Sequence, residues 1–164
     1  MTNKKEVVVL FGTGSIGLAI IRRVSAGKHI ILADYNLKNA EIASQMLSDA
    51  GFESSIIKAN LGSKEDILAV VAEAVKWGEV KYVVNAAGVS PSQAPVHEIL
   101  RVDMYGTSVL LEEFGKVIAE GGSAVIISSQ SGHRLPALPQ EQNDALAMSK
   151  PEDLLNLDFV TAIP

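Results

Sequence analysis

The chain has 164 residues, 48% of them apolar and 20% charged, with a formal net charge of −5 and no cysteine. That length suits one domain with a substantial core, and the missing cysteine excludes disulfides, thiolate nucleophiles and cysteine-ligated metal. The 14 basic residues are scattered, which argues against nucleic acid, and no apolar run approaches the roughly 20 residues of a membrane helix.

Met1–Glu6 passes almost at once into an apolar run, so no signal peptide is expected and the chain reads as cytoplasmic. Val7–Phe11 predicts a strand and Ser15–Ala26 an amphipathic helix, with Gly12-Thr13-Gly14-Ser15-Ile16-Gly17 between them. In that strand–turn–helix setting G-x-G-x-x-G is a dinucleotide phosphate cradle. Gly12 allows the sharp turn, Gly14 the approach of a pyrophosphate, and Gly17 close helix–strand packing. The free N–H groups at the helix start, around Ser15 and Ile16, then face the phosphates. A strand–helix turn without any ligand is the plain alternative, and a second signal weighs against it. His29–Asp34 reads as a short buried strand ending in a carboxylate 17 residues after Gly17. Placed there, Asp34 accepts hydrogen bonds from the adenosine ribose and repels a 2′-phosphate. Neither Lys nor Arg occurs among Tyr35, Asn36 and Leu37, so NAD is favoured over NADP.

Leu37–Ala50 predicts a second helix and Ser54–Ala59 a third strand. Lys64–Lys76 predicts a third helix, with Ser63 as its N-cap and Ile67, Leu68, Val71 and Val75 on one face. Val80–Asn85 predicts a fourth strand, a long helix runs from about Ala94 to Glu120 and stops at Gly121-Gly122, and Ser123–Ser129 is the fifth strand. Nearly uniform apolar strands separated by amphipathic helices imply a doubly wound, Rossmann-like α/β fold. The expected parallel order is 3-2-1-4-5, with ligand at the carboxyl ends near the switch between strands 1 and 4. Residues 1–132 then form the dinucleotide-binding unit. Residues 133–164 form an extension rich in Pro and polar residues with two short helices, the second opened by a Ser149/Glu152 capping box. His29, His97 and His133 fit no metal spacing and suggest surface or loop roles, so no metal is expected. Glu112 and Glu113 read as a solvated helix face, and Trp77 as packing at a helix end.

Asn85-Ala86-Ala87-Gly88 after the fourth strand and Ile126-Ile127-Ser128-Ser129-Gln130-Ser131-Gly132 after the long helix add a further pattern. Together with the glycine turn and Asp34 they resemble the short-chain dehydrogenase/reductase family over about residues 7–132. The resemblance implies that Asn85 to Gly88 supports the sheet and lines the nicotinamide side of the cleft. It places Ser129, with Ser131 in reserve, at the serine that holds the substrate oxygen. Asn60-Leu61 matches the pair flanking adenine, with Asn60 where an Asp is usual. Asp103 falls where the family carries a catalytic Asn; it keeps a hydrogen bond and can bind water, but adds a charge. The activity implied by the resemblance is that of an oxidoreductase exchanging hydride between the cofactor and a small carbonyl or secondary alcohol.

The family's Y-x-x-x-K element is missing. None of Tyr35, Tyr82 and Tyr105 has lysine four residues on, and Leu146 stands four residues before Lys150. Either Leu146 replaces the tyrosine in a pseudoenzyme, or 133–164 is a substrate-loop insertion and the tyrosine belongs to a segment beyond it. The second is preferred, because Pro151 directly after Lys150 suits no long helix. The expectation is a truncated chain, inactive by itself, with the sheet incomplete on its C-terminal side. The fifth strand and the long helix would expose apolar surface and favour homo-oligomers or other association. A non-catalytic NAD-binding module is the alternative; a methyltransferase with a similar glycine turn is weaker, since it gives Asn85–Gly88 and Ser128–Gly132 no role.

Overall fold

Five strands pair side by side into a parallel sheet of order β3-β2-β1-β4-β5, as the sequence predicts. The computed structural model describes residues 5–163; Met1–Lys4, on which the signal-peptide expectation partly rests, and Pro164 lie outside them. The elements are β1 (Glu6–Phe11), α1 (Ser15–Val24), β2 (His29–Asp34), α2 (Leu37–Asp49), β3 (Glu53–Lys58), α3 (Lys64–Trp77) and β4 (Glu79–Asn85). One continuous helical stretch comes next: α4 (Val96–Ile99), a wider π-helical segment (Leu100–Gly106) and α5 (Thr107–Gly115). Then come β5 (Ile118–Ile126), a 3-10 turn (Gln130–His133), α6 (Gln140–Met148), α7 (Pro151–Leu154) and α8 (Asp158–Thr161). No described helix is long and apolar enough to cross a membrane.

Alternation along the central strands divides the core in two. Val7, Val9, Phe11 and Ile31 face α3 and α5, where Ile67, Val70, Leu110 and Phe114 meet them; Phe11 and Phe114 pack edge to face at 6.0 Å. Val8, Leu10, Ile30 and Leu32 face α1 and α2, against Ile21, Ala40, Ala43 and Leu47. Because both faces are covered, β1 and β2 carry apolar residues at every position between their ends.

Several local expectations need correction. The buried face of α3 is Ile67, Val70 and Ala74, while Leu68 and Val75 are exposed; the spacing of three and four residues puts the first set on one side of the helix and turns Leu68 and Val75 away from it. The long helix ends at Gly115, not at Gly121-Gly122, because Val117 and Ile118 fold back onto the core. Gly121, at φ +68°, and Gly122 instead form a bulge in β5, between the Val80–Ile118 and Tyr82–Ser123 pairs. A side chain on Gly122 would strike the Lys81 carbonyl at 2.8 Å. Ser149 does not cap α7; Pro151 opens that helix, Lys150 is its N-cap residue, and Glu152 pairs with Lys64 at 2.9 Å. Ser63 does cap α3, accepting from the Asp66 N–H. Glu113 is buried, not solvated, and is paired with Lys116 at 2.9 Å.

His29 is likewise a core residue, not a loop one. It opens β2 with 2% of its surface exposed, its ring stacked on Trp77 at 3.7 Å and 10°. Nε2 lies 2.9 Å from the Ser55 hydroxyl, while Nδ1 is buried with no partner among the described residues. Burial, aided by nearby Lys5, holds its pKa below the ordinary histidine value, with Glu53 and Glu73 opposing. The unfolded chain therefore binds a proton below about pH 6.5 that the fold refuses, so stability is full above that pH and falls as the pH drops through it. Urea midpoints should decline from pH 7 to pH 5 in the natural chain and decline less in His29→Gln. Equal slopes for the two would show that His29 contributes nothing to acid sensitivity.

Candidate dinucleotide site

β1 ends against the turn that follows β4, and this meeting forms the floor of a cavity. Gly12 turns at φ +82°, and a Cβ there would lie 2.5 Å from the Ala87 nitrogen, so only glycine lets the two turns touch. Gly17 is packed as tightly, 2.5 Å from the Gly12 carbonyl to a would-be Cβ, which seats α1 on β1. Gly14 differs, with open space where a side chain would be. It precedes the ten-residue α1, whose start no side chain caps. Backbone N–H groups at such an end need an acceptor and attract anions.

Above this floor lies a cavity of about 690 Å³, bordered by Gly12, Gly14, Asp34, Asn60, Leu61 and Ala86–Gly88. Eight predicted site residues therefore converge on one space at the carboxyl ends of β1 to β4. Ser15 and Ile16 are solvent-exposed at the start of α1, next to the cavity rather than lining it. Asn85 is buried beneath it; its Oδ1 accepts from the Ala87 N–H at 3.1 Å and its Nδ2 donates to Thr107 at 3.2 Å. That bracket ties the β4 turn to α5. Ser129 stands apart from the lining. It is exposed beyond β5, its Oγ accepting from the Ser131 N–H at 3.1 Å. Lys150 is an exposed cation between α6 and α7.

Asp34 does more than border the cavity. Oδ2 accepts from both the Thr13 N–H at 2.8 Å and the Thr13 hydroxyl at 2.7 Å, and Oδ1 from the Asn36 N–H at 2.9 Å. A carboxylate offers about four lone-pair directions, so this one keeps part of its capacity for a ligand while drawing the glycine turn onto β2. Thr13 escapes a reading that counts only the glycines; its hydroxyl between two of them was the available signal. Tyr35, Asn39, Gln93, Glu98 and Val102 also line the cavity. Tyr35, next to Asp34, and Val102, next to Asp103, are traceable by position.

The helical wall is held by close approach. A Cβ on Gly106 would lie 2.1 Å from the Leu61 carbonyl, and Arg101 Nε donates to the Gly62 carbonyl at 3.0 Å. Asp103, on the π-helical segment, accepts from the Val89 N–H at 3.0 Å and lies 3.2 Å from where a Gly88 side chain would start. Partial burial under that turn raises its pKa, and the Val89 hydrogen bond works in the opposite direction. No group of acidic, histidine or cysteine side chains among the described residues could hold a metal.

Known proteins share both this sequence pattern and this fold. A model of the family described as enoyl-(acyl carrier protein) reductase matches residues 12–151. The chain is 35% identical over 157 residues to short-chain dehydrogenase/reductase bsc3 of Alternaria brassicicola, covering 95% of this chain and 57% of that protein. It is 25% identical over 143 residues to tropinone reductase-like 3 of Erythroxylum coca, covering 81% and 55%. The chain thus spans a little over half the length of these relatives. Among solved structures, a short-chain dehydrogenase/reductase from Serratia marcescens superposes with a TM-score of 0.70 at 23% identity, over 93% of this chain and 65% of that one. An alcohol dehydrogenase from Thermococcus sibiricus, complexed with 5-hydroxy-NADP, gives 0.68 at 22% identity, over 80% and 61%. At those identities the structures speak for the fold alone.

Replacing Thr13 by Val removes one of the bonds that hold the glycine turn to β2. The expected cost is about 1 kcal/mol, measured by urea denaturation, with Thr13→Ser restoring most of it. Unchanged stability in Thr13→Val would mean that the hydroxyl bond contributes nothing.

Proposed function

The chain belongs to the short-chain dehydrogenase/reductase family, and from that we propose that its cavity binds a nicotinamide dinucleotide, NAD in preference to NADP. The observation that carries this reading is the uncapped start of α1, opening onto empty space at Gly14, with a carboxylate at the neighbouring strand end. The Gly12–Gly17 turn, with the N–H groups of Ser15 and Ile16, holds the pyrophosphate. Asp34 takes the ribose, Asn60 and Leu61 flank the base, and Asn85 to Gly88 lies towards the nicotinamide. When bound, the cofactor supplies or accepts a hydride for a carbonyl or secondary alcohol.

Ser129 is assigned to the substrate oxygen and Asp103 to positioning, holding the Val89 turn and a water beside it. Proton transfer lacks a carrier in residues 1–164, since no tyrosine has lysine four residues on. The chain by itself is therefore expected to bind cofactor without turnover. The same missing pair favours a second reading, a non-catalytic NAD-binding module. Measurable alcohol oxidation by residues 1–164, lost in Ser129→Ala, would contradict both.

Binding is tested by thermal unfolding with NAD and NADP. At 100 times its dissociation constant NAD should stabilise the chain by about 2.7 kcal/mol, and more than NADP at equal concentration. Gly14→Val fits the open space without disturbing the fold, so it should abolish the response while leaving the unliganded melting temperature nearly unchanged. A response that survives in Gly14→Val would place the phosphates elsewhere.

The partner surface is argued from exposure. Val125 and Ile127 at the β5 edge are 45% and 38% exposed, and Leu111 on α5 is 46% exposed. We expect this edge to draw copies of the chain together, so sedimentation should show mass rising with concentration. A monomer throughout the micromolar range would refute that.

A further inference from the structure

We propose that a second cavity, behind the helical wall of the first, binds an aliphatic carboxylate, with the hydrocarbon tail between α4 and the segment α7–α8 and the head group at Arg101. The proposal does not rest on the dinucleotide reading. The space measures about 710 Å³, with residues 95–101 on one side and residues 155–163 on the other. Neither the glycine turn, Asp34 nor Ser129 borders it, and Pro95 alone borders both cavities. Glu98 and Val102 line the first cavity, Val96 and Leu100 the second, so one stretch of helix presents a different side to each.

Both walls are anchored near the start of α3. Arg101 Nε donates to the Gly62 carbonyl at 3.0 Å, and Glu152 of α7 pairs with Lys64 at 2.9 Å. Leu154 and Val160 are buried and hold α7 and α8 to the body of the protein. Settled interiors leave few gaps larger than a water molecule. A space of this volume between two held walls is the size of a small-molecule site.

The lining selects the ligand. Val96, Leu100, Leu155, Val160 and Ile163 supply aliphatic surface. Val96 and Ile163 leave 39% and 45% of theirs in water, and covering it with hydrocarbon is favourable in proportion to its area. No aspartate or glutamate lines the space. Of its polar side chains, Thr161 donates its hydroxyl to the Asp158 carbonyl at 2.9 Å, and His97 has Glu98 3.6 Å away. Arg101 makes the single bond to Gly62 and no ion pair among the described residues. A guanidinium carries five donors in a fork that suits a carboxylate. Aliphatic walls with one unmatched cation call for an anion on a hydrocarbon chain.

The experiment is calorimetric titration of the full chain with decanoate, decanol and decylammonium, each below its micelle concentration. Decanoate should bind about tenfold tighter than decanol, the scale of one charge-assisted hydrogen bond, and tighter than decylammonium. Val96→Glu adds a carboxylate to the lining at an exposed position, so the fold is kept and decylammonium should now bind better than decanoate. Arg101→Gln, its folding checked by circular dichroism, should bring decanoate within about threefold of decanol. A natural chain that binds no decanoate, or binds it no tighter than decanol, overturns the proposal by itself, even if Arg101→Gln does not fold. A preference for decanoate that persists in Val96→Glu, or in a folded Arg101→Gln, overturns it as well. So does self-association of the natural chain that Val96→Glu abolishes in sedimentation, which would assign the space to a second copy.

Discussion

The carboxylate of Asp34 holds the turn after β1 to the end of β2, and the geometry of the cavity depends on that tie. Three hydrogen bonds meet on it, two from Thr13 and one from Asn36. The first two fix where Gly14 and the start of α1 stand; the third fixes the entry to α2. One side chain thus sets the angle between two helices and the sheet. A group with this many partners inside the fold is held in place before any ligand arrives, which lowers the ordering cost of binding.

Opposite it, the β4 turn and the helical wall are built by proximity rather than charge. Gly12 against Ala87, Gly106 against Leu61 and Asn85 bridging to Thr107 are all contacts that a larger or apolar residue would break. The helix widens at Leu100–Gly106 without being interrupted, and such π turns occur often at functional sites. Asp103 lies within it, so the widened turn and the carboxylate that receives the Val89 N–H belong to the same stretch of chain.

Much of this was legible because it is local. Strand β2 begins at His29 and ends at Asp34 as read from its apolar run, and the glycine turn declares itself by spacing. Errors arose where two local readings were equal and distant packing chose between them. Gly121-Gly122 suits a helix stop as well as a strand bulge; the return of Val117 and Ile118 to the core selects the bulge, and no window of sequence contains that information. His29 looks like any histidine before an apolar run, and its burial depends on Trp77 arriving from a helix end 48 residues later. Of the site, Gly12, Gly14, Asp34, Asn60, Leu61 and the β4 turn border one cavity, while Ser15, Ile16, Gly17 and Ser129 do not line it. Thr13 went unnoticed because its partner is 21 residues away.

Trp77 is the single tryptophan of the chain, and it lies against the imidazole at the opening of β2. The cavity is at the other end of that strand, roughly 16 Å away by the rise of its six residues. Intrinsic indole emission therefore reports by contact on the sheet's amino-terminal rim. It shifts when that rim loosens or unfolds, whereas whatever settles at the carboxyl ends reaches the indole only through space.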